Sequence, residues 1–408
     1  GDWSVDMVIS EESGTSAAVR FGNFKDNTHP LYQGQDVLTQ DHTGMGALGW
    51  ASFGANAYNR AAGVGSVAMG FNNIAGRSDA ESTGITGDDI GQAVFGYASR
   101  ASGNVSFAAG QRNTASGAKS VSMGDFNYAT GDSSIALGKE NWADGASTVA
   151  IGFKNHAAGG GSTALGQENV SWGTTNFTSG YQNVAGDTNA AKGTGGSATA
   201  MGKYNKATAD KSMALNRGTT ASNQAATSMG FRTVADNLGM LAIGVNNVAG
   251  NGDTTLNQYY YADGQYTGAP AGVAFVIGNG DINTQAYARG DNPSNAFMVK
   301  YNGDATLAGD LTVNSDARLK SNIISLGNTL AKLMKIDGKS YTMKSNEKVN
   351  KIGLLAQDIE EVFPELVKEG EDKDGTLSVN YQGLIPVLIN AMKEQQNQID
   401  ELKSLLNN

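Results

Sequence analysis

Large apolar and small residues alternate in short pentads along the middle of the chain, and each pentad closes on a glycine. Gly96, Gly110, Gly124, Gly138, Gly152, Gly166 and Gly180 stand 14 residues apart, and the register resumes at Gly202, Asn216, Gly230 and Gly244. Alternation over so few residues predicts short strands. The residues one and three before the glycine are usually large, as at Ile135 and Leu137 or Val149 and Ile151, and the residue between them is small, as at Ala108, Ser122, Ala136 and Ala150. The expectation is a strand whose large residues point inward and whose small, uncharged face is approached closely by another chain.

The second half of each repeat reads Asn-x-Ala-x-Gly, as from Asn113 to Gly117 and from Asn127 to Gly131. Asn and Gly tolerate positive φ, so both are expected at tight corners that let each repeat stack on the next. A unit this short cannot bury a core alone, so many must stack; a dozen would make a rod of about 55 Å at ~4.8 Å per rung. Read vertically, Glu140, Lys154 and Glu168 form an alternating-charge column, and Thr114, Tyr128, Trp142 and His156 form another. Those rings either pack between rungs or form an exposed strip for sugar rings.

Two interruptions break the period, near Arg77 to Ile90 and near Gly186 to Gly196, and such insertions project from one side and often carry contacts. A tyrosine-rich segment follows the ladder, and Tyr259, Tyr260, Tyr261 and Tyr266 are candidate receptor-binding residues, with a subunit-interface plug as the structural alternative. From Val273 to Val313 the rhythm gives way to alternating segments and an Asn302-Gly303-Asp304 turn, a β-rich neck. At the C-terminus Ile385, Leu388, Met392, Gln395, Ile399, Leu402 and Leu406 alternate three and four apart, a coiled-coil seam with one polar layer.

The ladder from about Gly49 to Gly250 resembles the β-roll head of YadA-like trimeric autotransporter adhesins, which implies a left-handed roll and a homotrimer. A second resemblance begins at Ser315-Asp316-Ala317-Arg318-Leu319-Lys320-Ser321-Asn322. It continues through Ile352 to Glu360, Val362 to Val367 and Val379 to Pro386 into the closing helix. This segment resembles the C-terminal intramolecular chaperone and autoprotease domain of endosialidase tailspikes and other phage tail fibres. The resemblance implies that Ser315 and Lys320 form the self-cleaving dyad. Residue chemistry alone leaves another option, in which Ser315 or Asp316 caps a helix carrying Arg318 and Lys320. A lysine serves a serine nucleophile as base once desolvation favours its neutral form. Attack by Ser315 on the preceding carbonyl passes through a five-membered ring, so the expected scissile bond is Asn314-Ser315.

Composition narrows the class. Only 39% of 408 residues are hydrophobic and 55 are Gly, too little large apolar side chain for a conventional core throughout. A net charge of -10 argues against nucleic acid, and the absence of Cys removes disulfides and thiolate metal sites. No apolar run reaches the length of a membrane span. The chain opens on Gly1-Asp2 without Met, so a processed protein or a fragment is expected.

The fold expected is therefore mainly β: a trimeric left-handed β-roll of 14-residue repeats, a β-rich neck and a small α+β chaperone domain ending in a coiled-coil helix. The expected boundaries are an N-terminal segment at 1–48, the roll at 49–250, the neck at 251–314 and the chaperone at 315–408. The function expected is a homotrimeric phage tail fibre of the virion tail that binds a host-surface glycan or protein. Its chaperone directs trimerisation and is then released by a single self-cleavage, with no other enzymatic activity, no cofactor or metal, no nucleic acid and no membrane insertion. Two alternatives stand beside it: a trimeric adhesin on a bacterial surface and a glycan-degrading tailspike.

Overall fold

The computed structural model describes residues 19–21, 46–47, 52–56, 58–76, 90–193, 196–247, 249, 272–280, 293–301, 303–344, 346–371 and 374–407. Its internal contacts divide the chain into two compact units, Gly1–Leu311 and Thr312–Asn408.

The first unit is a parallel β-solenoid. Each regular turn contributes a five-residue strand and a two-residue strand, such as Val121–Asp125 and Tyr128–Ala129. Long strands stack into one sheet, with Val121 paired to Ile135 and Ile135 to Val149. Short strands stack into a second, 13-stranded sheet, with Tyr128 paired to Trp142. Through the regular turns each parallel pairing joins equivalent positions, so a side chain lies directly over its counterpart on the next rung.

The orientation of the long strands is the reverse of the sequence expectation. Ala108, Ser122, Ala136 and Ala150 are fully buried between the two sheets, together with Ala129, Ala143 and Ala157 of the short strands. The large residues face outward: Met123 is 42% exposed and Ile151 38%. Space is the reason. The rungs sit so close that a Cβ added to Gly131 would stand 1.9 Å from the carbonyl oxygen of Gly145, and through most of the regular turns the interior positions are filled by Ala, Ser, Thr or Asn, with Gln92, Val94 and Met240 as larger enclosed side chains. A buried Ala methyl contributes about 0.8 kcal/mol, whereas burying Ile or Leu contributes about 1.5–3 kcal/mol. Most of the apolar surface a rung could bury therefore lies on the outside of the long-strand sheet, uncovered in a single chain.

Asn-x-Ala-x-Gly also acts differently from expectation. The Asn residues are not corners; they are buried, and they form a continuous amide ladder from Asn113 through Asn127, Asn141, Asn155, Asn169 and Asn183 to Asn205. Asn155 is representative: its Nδ2 donates to Asn141 Oδ1 at 3.0 Å, to Ile151 O at 3.0 Å and to Gly166 O at 2.6 Å. The left-handed corner falls on the residue before each Asn, at Arg112, Phe126, Glu140 and Lys154, with φ between 51° and 55°. The glycine that ends each pentad is left-handed too, as at Gly124 with φ 118°. Buried amides need every donor and acceptor matched, and the ladder does so with backbone carbonyls and the neighbouring Asn.

Only part of the expected charge column forms. Lys154 Nζ stands 3.5 Å from Glu140 Oε2, while Glu168 accepts hydrogen bonds from Gln167 and Gln182. These side chains are exposed enough that solvent screens each contact. The parallel stack extends to Val273–Asn279, which pairs with Leu241–Val245. Antiparallel strands Asn295–Lys300 and Ala305–Leu307 then complete the sheet.

The second unit holds helix α1 (Leu330–Leu333), a hairpin of Lys339–Met343 with Asn346–Gly353, helix α2 (Ala356–Val362), a hairpin of Val367–Glu369 with Leu377–Val379, and helix α3 (Leu384–Leu406). Its small core joins Ile359, Val362 and Phe363 to Leu384 and Val387. The Glu394 carboxylate of α3 accepts from the Thr329 amide at the start of α1, and Thr329 Oγ1 donates to Val387 O at 2.9 Å. No helix among the described residues is long and apolar enough to cross a membrane.

Candidate functional site

Asp316 organises the segment that follows Asn314. It caps the short 3-10 turn Ala317–Leu319 by accepting from the Arg318 amide at 2.8 Å. The Arg318 guanidinium grips the same carboxylate, with Nη2 at 2.6 Å from Oδ2 and Nε at 3.1 Å from each oxygen. Those hydrogen bonds, the guanidinium's first and the backbone amide's second, hold the Asp316 carboxyl below its ordinary range.

The capping role thus falls to Asp316 and leaves the Ser315 hydroxyl to another partner. Lys320 follows the turn in extended conformation, and its Nζ donates to Ser315 Oγ at 2.7 Å. Both residues are exposed in the single chain. A hydroxyl and an amine in direct contact make a nucleophile and its base once the amine is neutral, a state that loss of solvent favours. The Asp316–Arg318 clamp was not singled out from the sequence, although opposite charges two residues apart inside the motif were the available signal.

Helix α3 has two apolar faces. Leu384, Val387 and Ala391 are buried within the unit. The expected seam lies elsewhere on the helix and is open: Met392 is 69% exposed, and Ile385, Leu388, Ile399, Leu402 and Leu406 are exposed as well. The helix therefore closes its own domain with one stripe and presents a three-four repeat with another. Tyr259, Tyr260, Tyr261 and Tyr266 lie outside the described residues, as does the first insertion from Arg77 up to Ile90. Among the described residues no three His, Asp or Glu side chains gather as metal ligands.

The chain thus joins a roll of stacked 14-residue rungs to a small helix-ended unit with a Ser–Lys contact near its start. Both parts have counterparts among known proteins. Residues 315–368 match the Peptidase_S74 family, the chaperone of endosialidase, and residues 115–141, 143–169 and 194–215 match the YadA head domain repeat. The long tail fiber protein Gp37 of Enterobacteria phage K3 is 33% identical over 144 residues, covering 31% of this chain and 12% of that protein. Its counterpart in Escherichia phage AR1 is 36% identical over 97 residues, 22% of this chain and 9% of that protein. The Gp37 of Enterobacteria phage M1 is 29% identical over 136 residues, 30% of this chain and 54% of that protein. The chain thus spans about half the length of the M1 protein and about a tenth of the other two.

Proposed function

We propose that this chain is part of a homotrimeric phage tail fibre of the virion tail, which attaches to the host surface and carries an intramolecular chaperone that aligns three chains and then cuts itself free. The observation that carries the reading is the 2.7 Å contact of Lys320 Nζ with Ser315 Oγ inside the chaperone-like segment. Assembly has its own support. The outward columns of Val121, Ile135 and Val149 and of Met123, Leu137 and Ile151 give the roll an apolar face that other copies would cover. The open stripe of α3 would hold three C-termini together while the non-local pairing of the roll proceeds.

In the proposed cut, Lys320 takes the proton of Ser315 Oγ as the oxygen attacks the Asn314 carbonyl carbon. The C–O bond forms, the C–N bond breaks, and the proton passes to the leaving amine of Ser315. Water then hydrolyses the ester, leaving a carboxylate on Asn314 and a free amino group on Ser315. Because both groups are solvated in the single chain, burial on trimerisation would switch the dyad on, so cutting would follow assembly. Receptor contact belongs, in the same proposal, to the segment containing Tyr259, Tyr260, Tyr261 and Tyr266.

Light scattering and mass spectrometry of the expressed full-length chain test the proposal together. The expected result is a particle of three chains and a C-terminal fragment beginning at Ser315. A folded monomer would overturn the fibre reading, and a trimer that stays uncut would leave the chaperone as a permanent clasp.

A further inference from the structure

A ladder of rings climbs the outer face of the short-strand sheet. Tyr128, Trp142 and His156 share one register on successive turns, with ring centroids 5.0 Å apart for Tyr128 and Trp142 and 6.0 Å for Trp142 and His156. Val170 takes that register on the next turn, and Trp172, two residues further, stands edge-on 5.7 Å from His156. Trp142 stays 49% exposed despite a ring on either side, forgoing the burial that a purely structural indole would take.

A cleft of about 640 Å³ opens beside it, walled by Phe126, Tyr128, Glu140, Trp142, Lys154 and His156. Its charges balance: Glu140 lies 3.5 Å from Lys154 and 3.8 Å from Lys139, which in turn lies 3.7 Å from Asp125. Part of the second insertion, residues 186–193, lies along this face. Trp172 Nε1 donates to Ala190 O at 3.0 Å, and Lys192 Nζ reaches Asp144 Oδ2 at 2.8 Å. Asp144 Oδ1 in turn stands 3.2 Å from His156 Nε2. The residues that interrupt the repeat thus brace the upper end of the ring ladder.

We propose that this cleft binds a neutral saccharide of the host surface, with Trp142 and Tyr128 as stacking platforms and Glu140, Lys154 and His156 reading hydroxyl groups. The proposal rests on the host-attachment reading above and names the ligand class of a second contact. A pyranose ring offers a face of C–H bonds to the electron-rich face of an indole or phenol, while its hydroxyls project outward to donors and acceptors. The depression is shallow and open to solvent, lined by aromatic rings with a few polar groups beside them to fix the orientation of a sugar. Cancelling charges give no advantage to an acidic sugar. A second copy of the chain is the occupant expected of the opposite sheet, where the apolar columns lie. A protein partner would favour an interface core depleted of charge, which this rim is not.

The test titrates the full-length protein with short neutral oligosaccharides of the hexose and N-acetylhexosamine series by calorimetry, alongside Trp142→Ala, Tyr128→Ala and Trp142→Phe. At least one oligosaccharide binds the wild type, the alanine variants each lose about tenfold or more in affinity, and Trp142→Phe retains most of it. Melting temperature and particle mass remain those of the wild type, which separates binding from folding. No binding across the series, or binding unchanged in both alanine variants, overturns the site. So does capture of protein-only host vesicles that Trp142→Ala weakens, because the partner would then be a protein. Attachment to bacteria is scored separately with Tyr260→Ala and Tyr261→Ala: a wild type that binds sugar but attaches to no bacterium refutes the host-attachment reading and leaves the saccharide site standing.

Discussion

The Nδ2 of Asn141 lies 2.9 Å from Oδ1 of Asn127, one rung away, and the same amide also donates to Leu137 O at 2.8 Å and Gly152 O at 2.7 Å. One buried side chain thereby ties backbone carbonyls of its own rung and of the next to its counterpart on the rung before. The roll's interior holds a polar column flanked by methyl groups, and the hydrogen bonds of that column join one rung to the next.

Asn141→Ala removes partners from several buried groups at once, and each orphan costs about 1–3 kcal/mol. The expected loss is about 3 kcal/mol or more, read as a lowered denaturation midpoint. Asn141→Asp should also destabilise, because a carboxylate cannot donate to Leu137 O or Gly152 O. A change within ~0.5 kcal/mol, the usual span for exposed positions, would mean that the ladder is incidental.

Met123→Asp together with Leu137→Asp places charge on the outward long-strand face while leaving the interior untouched. Far-ultraviolet circular dichroism should keep its β signature, and the mass by light scattering should fall from three chains to one. Retention of the trimer would move the assembly surface elsewhere.

On α3, Met392→Asp with Leu402→Asp alters only the open stripe and spares Leu384, Val387 and Ala391. The isolated change should give soluble but unassembled or aggregated roll and no cleavage. Normal assembly with this pair of substitutions would argue that the stripe does not clasp.

Ser315→Ala and Lys320→Ala should each leave a full-length chain by mass spectrometry, and Lys320→Arg should fail as well because guanidinium stays protonated. Arg318→Ala frees the Asp316 carboxylate that it now occupies, and a slower cut in that variant would assign the clamp a positioning role. Cleavage that persists in Lys320→Ala would remove lysine from the mechanism.

Burial disfavours ionisation of Asp144, but hydrogen bonds and charge from His156 and Lys192 outweigh it and hold the carboxyl below 3.8, its ordinary value. A depressed folded-state value means stability that is complete above the unfolded value and disappears as pH falls through the folded one. Melting temperature followed from neutral to acid pH should fall for the wild type in that window more than for Asp144→Asn. Parallel curves would show that the Asp144 cluster contributes nothing to folding.

The repeat length, the pairing of equivalent rungs and the presence of a helix-ended C-terminal unit were legible in the residues themselves. A 14-residue period can be met in stacked turns only by placing like over like, and the glycines and asparagines mark that period one by one. Alternation also reveals which side chains share a face, so Ile135 and Leu137 were correctly grouped against Ala136.

Which face lies inside was decided by the tertiary structure, because a period of two is the same read from either side of a sheet. Through most rungs the space between the sheets is taken by the amide ladder and by Ala, Ser and Thr side chains, so the alanines go in and the large residues go out. The same holds for Asn127 and Phe126: either can turn a corner, and only the need to satisfy a buried amide assigns the Asn to the interior. A five-residue spacing likewise left Ser315 and Lys320 free to point apart. Their contact depends on a single 3-10 turn, held by Asp316, that brings the extended Lys320 back to the hydroxyl.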